Sequence, residues 1–166
     1  MARLVLVGLP GVGKTTVARE VARRWGCAAL DTDDLVAGGA GESAGEYLRE
    51  AGEAAFRARE VEALREALAG DDVVATGGGV VTVAEARDLL RAETTVWLDG
   101  EDDVILERLD EVDRPLLGTD PREGLRALRE QRSALYGDVA RARVDVGGTP
   151  EDVATLVIDA VAGATR

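Results

Sequence analysis

Gly8-Leu9-Pro10-Gly11-Val12-Gly13-Lys14-Thr15 is the stretch from which the architecture of this chain can be inferred. The string fits G-x-x-x-x-G-K-[ST], in which glycines let backbone N–H groups wrap phosphate oxygens, the lysine adds a compact charge and the hydroxyl ligates Mg²⁺. Lys14 is the single lysine among 166 residues, against nineteen arginines. Arginine serves wherever a plain positive charge suffices. The exception falls where a planar guanidinium fits poorly between phosphate oxygens in a tight loop. The apolar run Leu4-Val5-Leu6-Val7 precedes the string and the helix-compatible stretch Thr16–Trp25 follows it. That is the strand–loop–helix order which a phosphate-binding loop requires and a chance glycine-rich turn does not. The pattern reads as a nucleotide-binding loop.

On the C-terminal side of this loop, short apolar runs alternate with longer helical segments, the pattern of a parallel sheet covered on both faces. The expected strands are Arg3–Val7, Ala28–Leu30, Asp72–Thr76, Thr94–Leu98 and Arg143–Val146. Helix starts are marked by S/T-x-x-E capping boxes at Ser43/Glu46 and Thr82/Glu85, and by Asp120-Pro121 and Thr149-Pro150, each a capping residue before proline. Gly52 and Gly70 suit helix stops. Two stretches break the alternation, Asp31 to about Gly52 and Asp110 to Asp120, and read as mobile flaps over the site. The expectation is an α/β fold of P-loop NTPase type: a single domain over residues 1–166, a three-layer sandwich with a five-stranded parallel sheet flanked by helices. A substrate-binding region lies at about 31–61 and a lid at about 110–121.

Composition narrows the function. A net charge of −12 disfavours nucleic acid as the main partner, since a phosphate backbone demands a basic surface. The chain has no histidine, which excludes His-based acid–base chemistry and His metal sites. One cysteine, Cys27, rules out an internal disulfide and fits a reducing compartment. The sequence opens directly into an apolar strand without a leader pattern, and no apolar run approaches a membrane span. A cytoplasmic protein with no membrane partner is expected. A guanine-reading Asn-Lys-x-Asp motif is impossible without a second lysine, which removes a GTP switch of that type.

Ligands of open parallel sheets bind at the carboxyl ends of the strands. There the second strand ends in Asp31-Thr32-Asp33-Asp34 and the third in Gly77-Gly78-Gly79. A carboxylate cluster and bare backbone beside a triphosphate suit metal coordination and close approach of a small substrate. Asp34 reads as a helix cap. Asp99, ending the fourth strand, is weighed below these as a metal ligand, because the fourth strand is expected to lie farther from Lys14 than the second.

Helical phase sorts the arginines. On Glu53–Ala69, Arg57 shares a stripe with Val61, Leu64 and Leu68, with Arg59 on the far side. On Arg122–Ala140, Arg132 shares a stripe with Leu125, Leu128 and Leu135, while Arg122, Arg126 and Arg129 point away. An inward guanidinium needs a partner, met either by an internal acid, of which Glu60 is the obvious candidate, or by a substrate carboxylate.

Taken together, Gly8–Thr16, Asp31-Thr32-Asp33, Gly52-Glu53 with Phe56-Arg57 and Glu60, Gly77–Gly79, Arg114-Pro115-Leu116-Leu117 and Arg132 with Leu135-Tyr136 resemble the shikimate kinase family, in order and spacing, over about residues 3–160. The resemblance implies transfer of the ATP γ-phosphoryl group to the 3-hydroxyl of shikimate, a step towards chorismate and aromatic amino acids. It implies Lys14, Asp33 and Arg114 in catalysis, and ATP binding by Gly11, Val12, Gly13, Lys14, Thr15, Thr16, Arg108 and Arg114. Shikimate would be held by Asp33, Arg57, Gly78, Gly79 and Arg132, and Mg²⁺ by Thr15 and, through water, Asp31. The expected partners are ATP and shikimate, acting on a monomer. Another small P-loop hydroxy-acid kinase, such as gluconate kinase, is the alternative. The chain departs from the family at Gly147-Gly148-Thr149-Pro150, where many members carry a basic or amide residue that contacts adenine.

Overall fold

A computed structural model describes residues 1–40, 43–109 and 117–164. Five strands, β1 (Leu4–Val7), β2 (Ala29–Asp31), β3 (Val73–Ala75), β4 (Thr95–Asp99) and β5 (Ala142–Asp145), form one parallel sheet in the order β2-β3-β1-β4-β5. Each lies within one or two residues of its sequence-based position. β1 is central, and Leu4, Val5, Leu6 and Val7 are all fully buried. A strand covered on both faces needs such an unbroken apolar run.

Helix α1 (Lys14–Trp25) packs with the C-terminal helix α8 (Pro150–Ala164), and between them they cover β2, β3 and β5. α4 (Glu53–Leu68), α5 (Ala84–Ala92) and α7 (Pro121–Val139) form the other helical group, with α7 against β4 and short α6 (Asp102–Arg108) against α7. The glycine-rich stretch expected as an open flap is instead mostly helical. It forms α2 (Thr32–Ala40) and α3 (Ala44–Ala51), which pack on α4 around a small separate core of Val36, Phe56 and Ala63. The Ser43/Glu46 box is present in both directions, worth about 1 kcal/mol to α3.

This second layer corrects the reading of Arg59. α4 is buried on two sides, so Arg59 does not point into solvent. It donates to the Leu35 carbonyl at 3.0 Å and pairs with Glu62 and Glu66. The Thr82/Glu85 box is also absent. Thr82 ends a 3₁₀ turn, Val80–Thr82, and donates its hydroxyl to the Gly79 carbonyl, while Val83 takes the cap position of α5. Glu85 instead pairs with Arg65 across to α4. Asp120 caps α7 by accepting from Arg122 and Glu123, and Thr149 and Asp152 cap α8 reciprocally.

Candidate active site

The phosphate loop joins β1 to α1. Val12 is fully buried and anchors the loop in the core, so it offers a ligand only its backbone. Gly13, the residue before α1, has φ 91°, a left-handed conformation that costs a side-chain-bearing residue about 1–2 kcal/mol. The helix's first backbone bond runs from Val17 to Gly13, so the opening amides of α1, including that of exposed Thr16, face an incoming anion. Lys14 Nζ donates to the carbonyls of Gly8 and Leu9 at 2.8 and 3.0 Å, which holds the ammonium against its own loop. Gly11 lies close to α6, where a Cβ would meet Leu109 and the Ile105 carbonyl.

The start of α1 meets the end of β2 where Thr15 Oγ1 donates to Asp31 Oδ2. The other Asp31 oxygen accepts from the Asp33 N–H at 2.8 Å. Asp31 therefore caps α2, the role expected of Asp34, which stands exposed in the first turn. The Thr15 hydroxyl and the Asp31 carboxylate form a pair of hard oxygen donors, the type Mg²⁺ selects. Buried Thr32 accepts from the Gly77 N–H at 3.0 Å and so ties the acidic segment to the triple glycine.

Asp33 opens onto the cleft yet is closely hemmed in by protein. Burial pushes its carboxyl up to about 6, the nearby charges of Asp31 and Glu60 adding to the effect and Lys14 opposing it. A carboxyl tuned upward by its surroundings beside a phosphate loop has the character of a proton acceptor near neutral pH.

The triple glycine lies at the centre. A Cβ on Gly77 would stand 2.6 Å from Glu60 Oε1 and 2.8 Å from Asp33 Oδ1; one on Gly79 would stand 2.5 Å from Arg57 Nη1. One on Gly78 would meet Pro10 of the phosphate loop at 3.0 Å and Arg132 Nη1 at 3.4 Å. Three bare backbone units thus bring Asp33, Glu60, Arg57, Arg132 and the phosphate loop around one point. Arg57 Nη1 donates to Glu60 Oε2 at 2.7 Å, the internal acid that the sequence suggests. Glu60 is 1% exposed; burial raises its carboxyl, against the pull of Arg57 and Arg132. Arg57 Nε and Arg132 Nε are buried without a hydrogen-bond acceptor, although Arg57 Nε has the Glu53 carboxylate at 3.9 Å and Arg132 shares a hydrogen bond with Tyr136. Glu60 therefore does not use up both guanidinium groups, whose remaining N–H groups suit an incoming carboxylate. The Tyr136 hydroxyl donates to the Gly78 carbonyl and fixes the turn from the α7 side.

On the nucleotide side, Arg108 bridges the phosphate loop to the segment after β5. It donates to Val12 O at 3.3 Å, Val146 O at 2.7 Å and Gly148 O at 3.2 Å. Arg108 thus holds the Gly147–Pro150 departure by the Gly148 carbonyl and the residue just before it by the Val146 carbonyl. Arg114 and most of the expected lid lie outside the described residues.

Two expectations need correction here. β4 is the direct neighbour of β1, whereas β2 is two strands away, so Asp99 is not remote from Lys14 in sheet order. Asp99 nevertheless faces other partners: Arg129 Nη1 at 2.8 Å, Arg143 Nη2 at 2.8 Å and the Gly100 N–H. Burial alone would raise its carboxyl, but the two arginines outweigh that and hold it below the usual range. Arg129 accordingly turns inward, not away. Sequence phase gives no signal for this cluster, because its partners come from β4, β5 and α7.

A family model described as shikimate kinase matches residues 10–162. The chain is 44% identical to the shikimate kinase of Streptomyces avermitilis over 162 residues, 96% of this chain and 95% of that one. Its structure superposes on the shikimate kinase of Acinetobacter baumannii in complex with shikimate with a TM-score of 0.91 at 33% identity, covering 96% and 92% of the two chains. A gluconokinase from Sinorhizobium meliloti matches with a TM-score of 0.63 at 21% identity, a likeness of fold alone. The similarity runs nearly end to end, in sequence as in structure, and the chain belongs to the shikimate kinase family.

Proposed function

We propose that the chain transfers the γ-phosphoryl group of ATP to the 3-hydroxyl of shikimate. The observation that carries this reading is the meeting of Arg57 and Arg132 with Asp33 around Gly77–Gly79, beside the phosphate loop. A ligand with a carboxylate at one end and hydroxyls at the other fits that charge pattern, and the neighbour in complex with shikimate supports it.

In this reading the two guanidinium groups take the shikimate carboxylate and the backbone of Gly78 and Gly79 bounds the ring. Asp33 accepts a hydrogen bond from the 3-hydroxyl and takes its proton as that oxygen bonds to the γ-phosphorus. The bond between the γ-phosphorus and the β–γ bridging oxygen breaks and ADP leaves. Phosphoryl transfer passes through a loose transition state, so alignment and charge stabilisation matter more than base strength. The Lys14 ammonium and the opening amides of α1 supply charge to the phosphates, and the sequence-based role of Arg114 adds to it. Thr15 and Asp31 are the residues that would hold Mg²⁺, which neutralises phosphate charge when bound. Arg108 borders the nucleotide. The reading takes the enzyme as a monomer in the cytoplasm, where its ATP is supplied; among the described residues no helix is long and apolar enough to cross a membrane.

An ADP-release assay coupled to NADH oxidation tests the proposal. Turnover is expected with ATP and shikimate; no turnover with shikimate by folded protein would reject it.

A further inference from the structure

We infer that Arg129 is a positioning residue for the shikimate carboxylate, acting through Arg132. This rests on the substrate reading above. Arg129, Arg132 and Tyr136 lie at i, i+3 and i+7 on α7, hence on one face of the helix. Each ties that face to a different part of the site. Arg129 locks the helix to the β4–α6 junction with all three guanidinium nitrogens: Nη1 to Asp99 at 2.8 Å, Nη2 to the Gly100 carbonyl at 2.8 Å and to Asp102 at 2.7 Å, and Nε to Asp102 at 3.0 Å. Asp99 is itself pinned by Arg143, whose guanidinium lies 5.3 Å over the ring of Trp97, and Trp97 stacks 5.9 Å from Tyr136. Tyr136 closes the circuit at the Gly78 carbonyl.

Arg132 lies between these two anchors, about 4.5 Å along the axis from Arg129. Its Nη1 lies 3.4 Å from where a Cβ on Gly78 would stand, its Nε has no hydrogen-bond acceptor, and its side chain shares a hydrogen bond with the Tyr136 hydroxyl. The direction of its fork is therefore set by Tyr136, which touches it, and by the placement of α7, which Arg129 fixes at the β4–α6 junction. A shift of about 1 Å at a binding group is enough to cost up to about 100-fold in rate. A lysine at 129 would keep the charge but lose the fork that engages Asp99, Gly100 and Asp102 together.

A double-mutant cycle tests this, using the full chain, shikimate and ATP. Arg129→Met is expected to lower kcat/KM for shikimate about tenfold while changing KM for ATP less than twofold, with Arg129→Lys falling between it and the wild type. In an Arg132→Ala background, the same Arg129 substitutions should change shikimate kcat/KM less than twofold, because the group they act through is gone. A factor that is the same in both backgrounds would overturn the inference, as would equal loss for shikimate and ATP, or no loss at all. If Arg129→Met does not fold, the lysine variant carries the same cycle with the same criteria. Arg132→Ala with wild-type use of shikimate would overturn the substrate reading itself, a different result from additivity of the two substitutions.

Discussion

Gly79→Ala separates the proposed substrate site from the fold. Gly79 has φ −92° and ψ −1°, a conformation open to alanine, so the backbone need not move. The added Cβ would stand 2.5, 2.6 and 2.8 Å from Arg57 Nη1, Nη2 and Cζ. Ordinary contact requires roughly 3.5 Å, so the guanidinium must retreat by about 1 Å. It is the flexible end of a long side chain, which makes that retreat possible without unfolding. The retreat pulls against the 2.7 Å bond to Glu60 and takes the fork away from the cleft. A hydrogen bond to a charged group contributes about 1.5–3 kcal/mol, which converts to roughly 10- to 150-fold in binding. The expected result is a rise of that size in KM for shikimate, with KM for ATP within about twofold and a melting temperature within about 2 °C of wild type. The assay is coupled ADP release with each substrate titrated separately, beside a thermal melt. Folded Gly79→Ala protein with an unchanged KM for shikimate would refute the placement of Arg57 at the carboxylate.

Asp33→Asn is expected to lower kcat by about 10²–10⁴ while leaving nucleotide affinity nearly intact, read by turnover and ATP titration. Wild-type kcat/KM for shikimate should fall as pH drops through about 6, where Asp33 takes up the proton that its role requires it to lack, and the Asp33→Asn variant should lack this inflection. Because the carboxyl is raised from its ordinary value of 3.8, Asp33 is charged at a cost to folding above about pH 6 and neutral in both states below about 4. Asp33→Asn should therefore raise the melting temperature at pH 8 and not at pH 4. Chelation with EDTA should stop turnover and added Mg²⁺ restore it, with Asp31→Asn shifting the Mg²⁺ requirement upward; activity indifferent to EDTA would remove Thr15 and Asp31 from a metal role.

Local signals in the sequence carry well into the structure. The phosphate loop, the five strands, the Ser43 and Asp120 caps and the inward faces of Arg57 and Arg132 all depend on near neighbours in the chain, where period and capping chemistry act. What depends on remote pairing is not legible there. Strand order places β4 beside β1, and no local pattern encodes that hydrogen-bonded neighbour. Helical phase gives one face of α4, but α2 and α3 cover a second, so Arg59 finds the Leu35 carbonyl where solvent is expected. Arg129 sits on the flank of the Arg132 stripe, and its inward turn has a related reason. A long arginine on the flank of a stripe turns in when acids from other elements, here Asp99 and Asp102, await it. Thr82 shows the limit of a motif: its hydroxyl is engaged by the 3₁₀ turn one step earlier, so the capping box never forms.

One comparison bears on the substrate assignment most directly: coupled ADP release with shikimate and with gluconate at matched concentrations of ATP and Mg²⁺. Saturable turnover with shikimate, at least about 100-fold above gluconate in kcat/KM and lost in Arg132→Ala, is the expected result. Turnover with gluconate alone would contradict it.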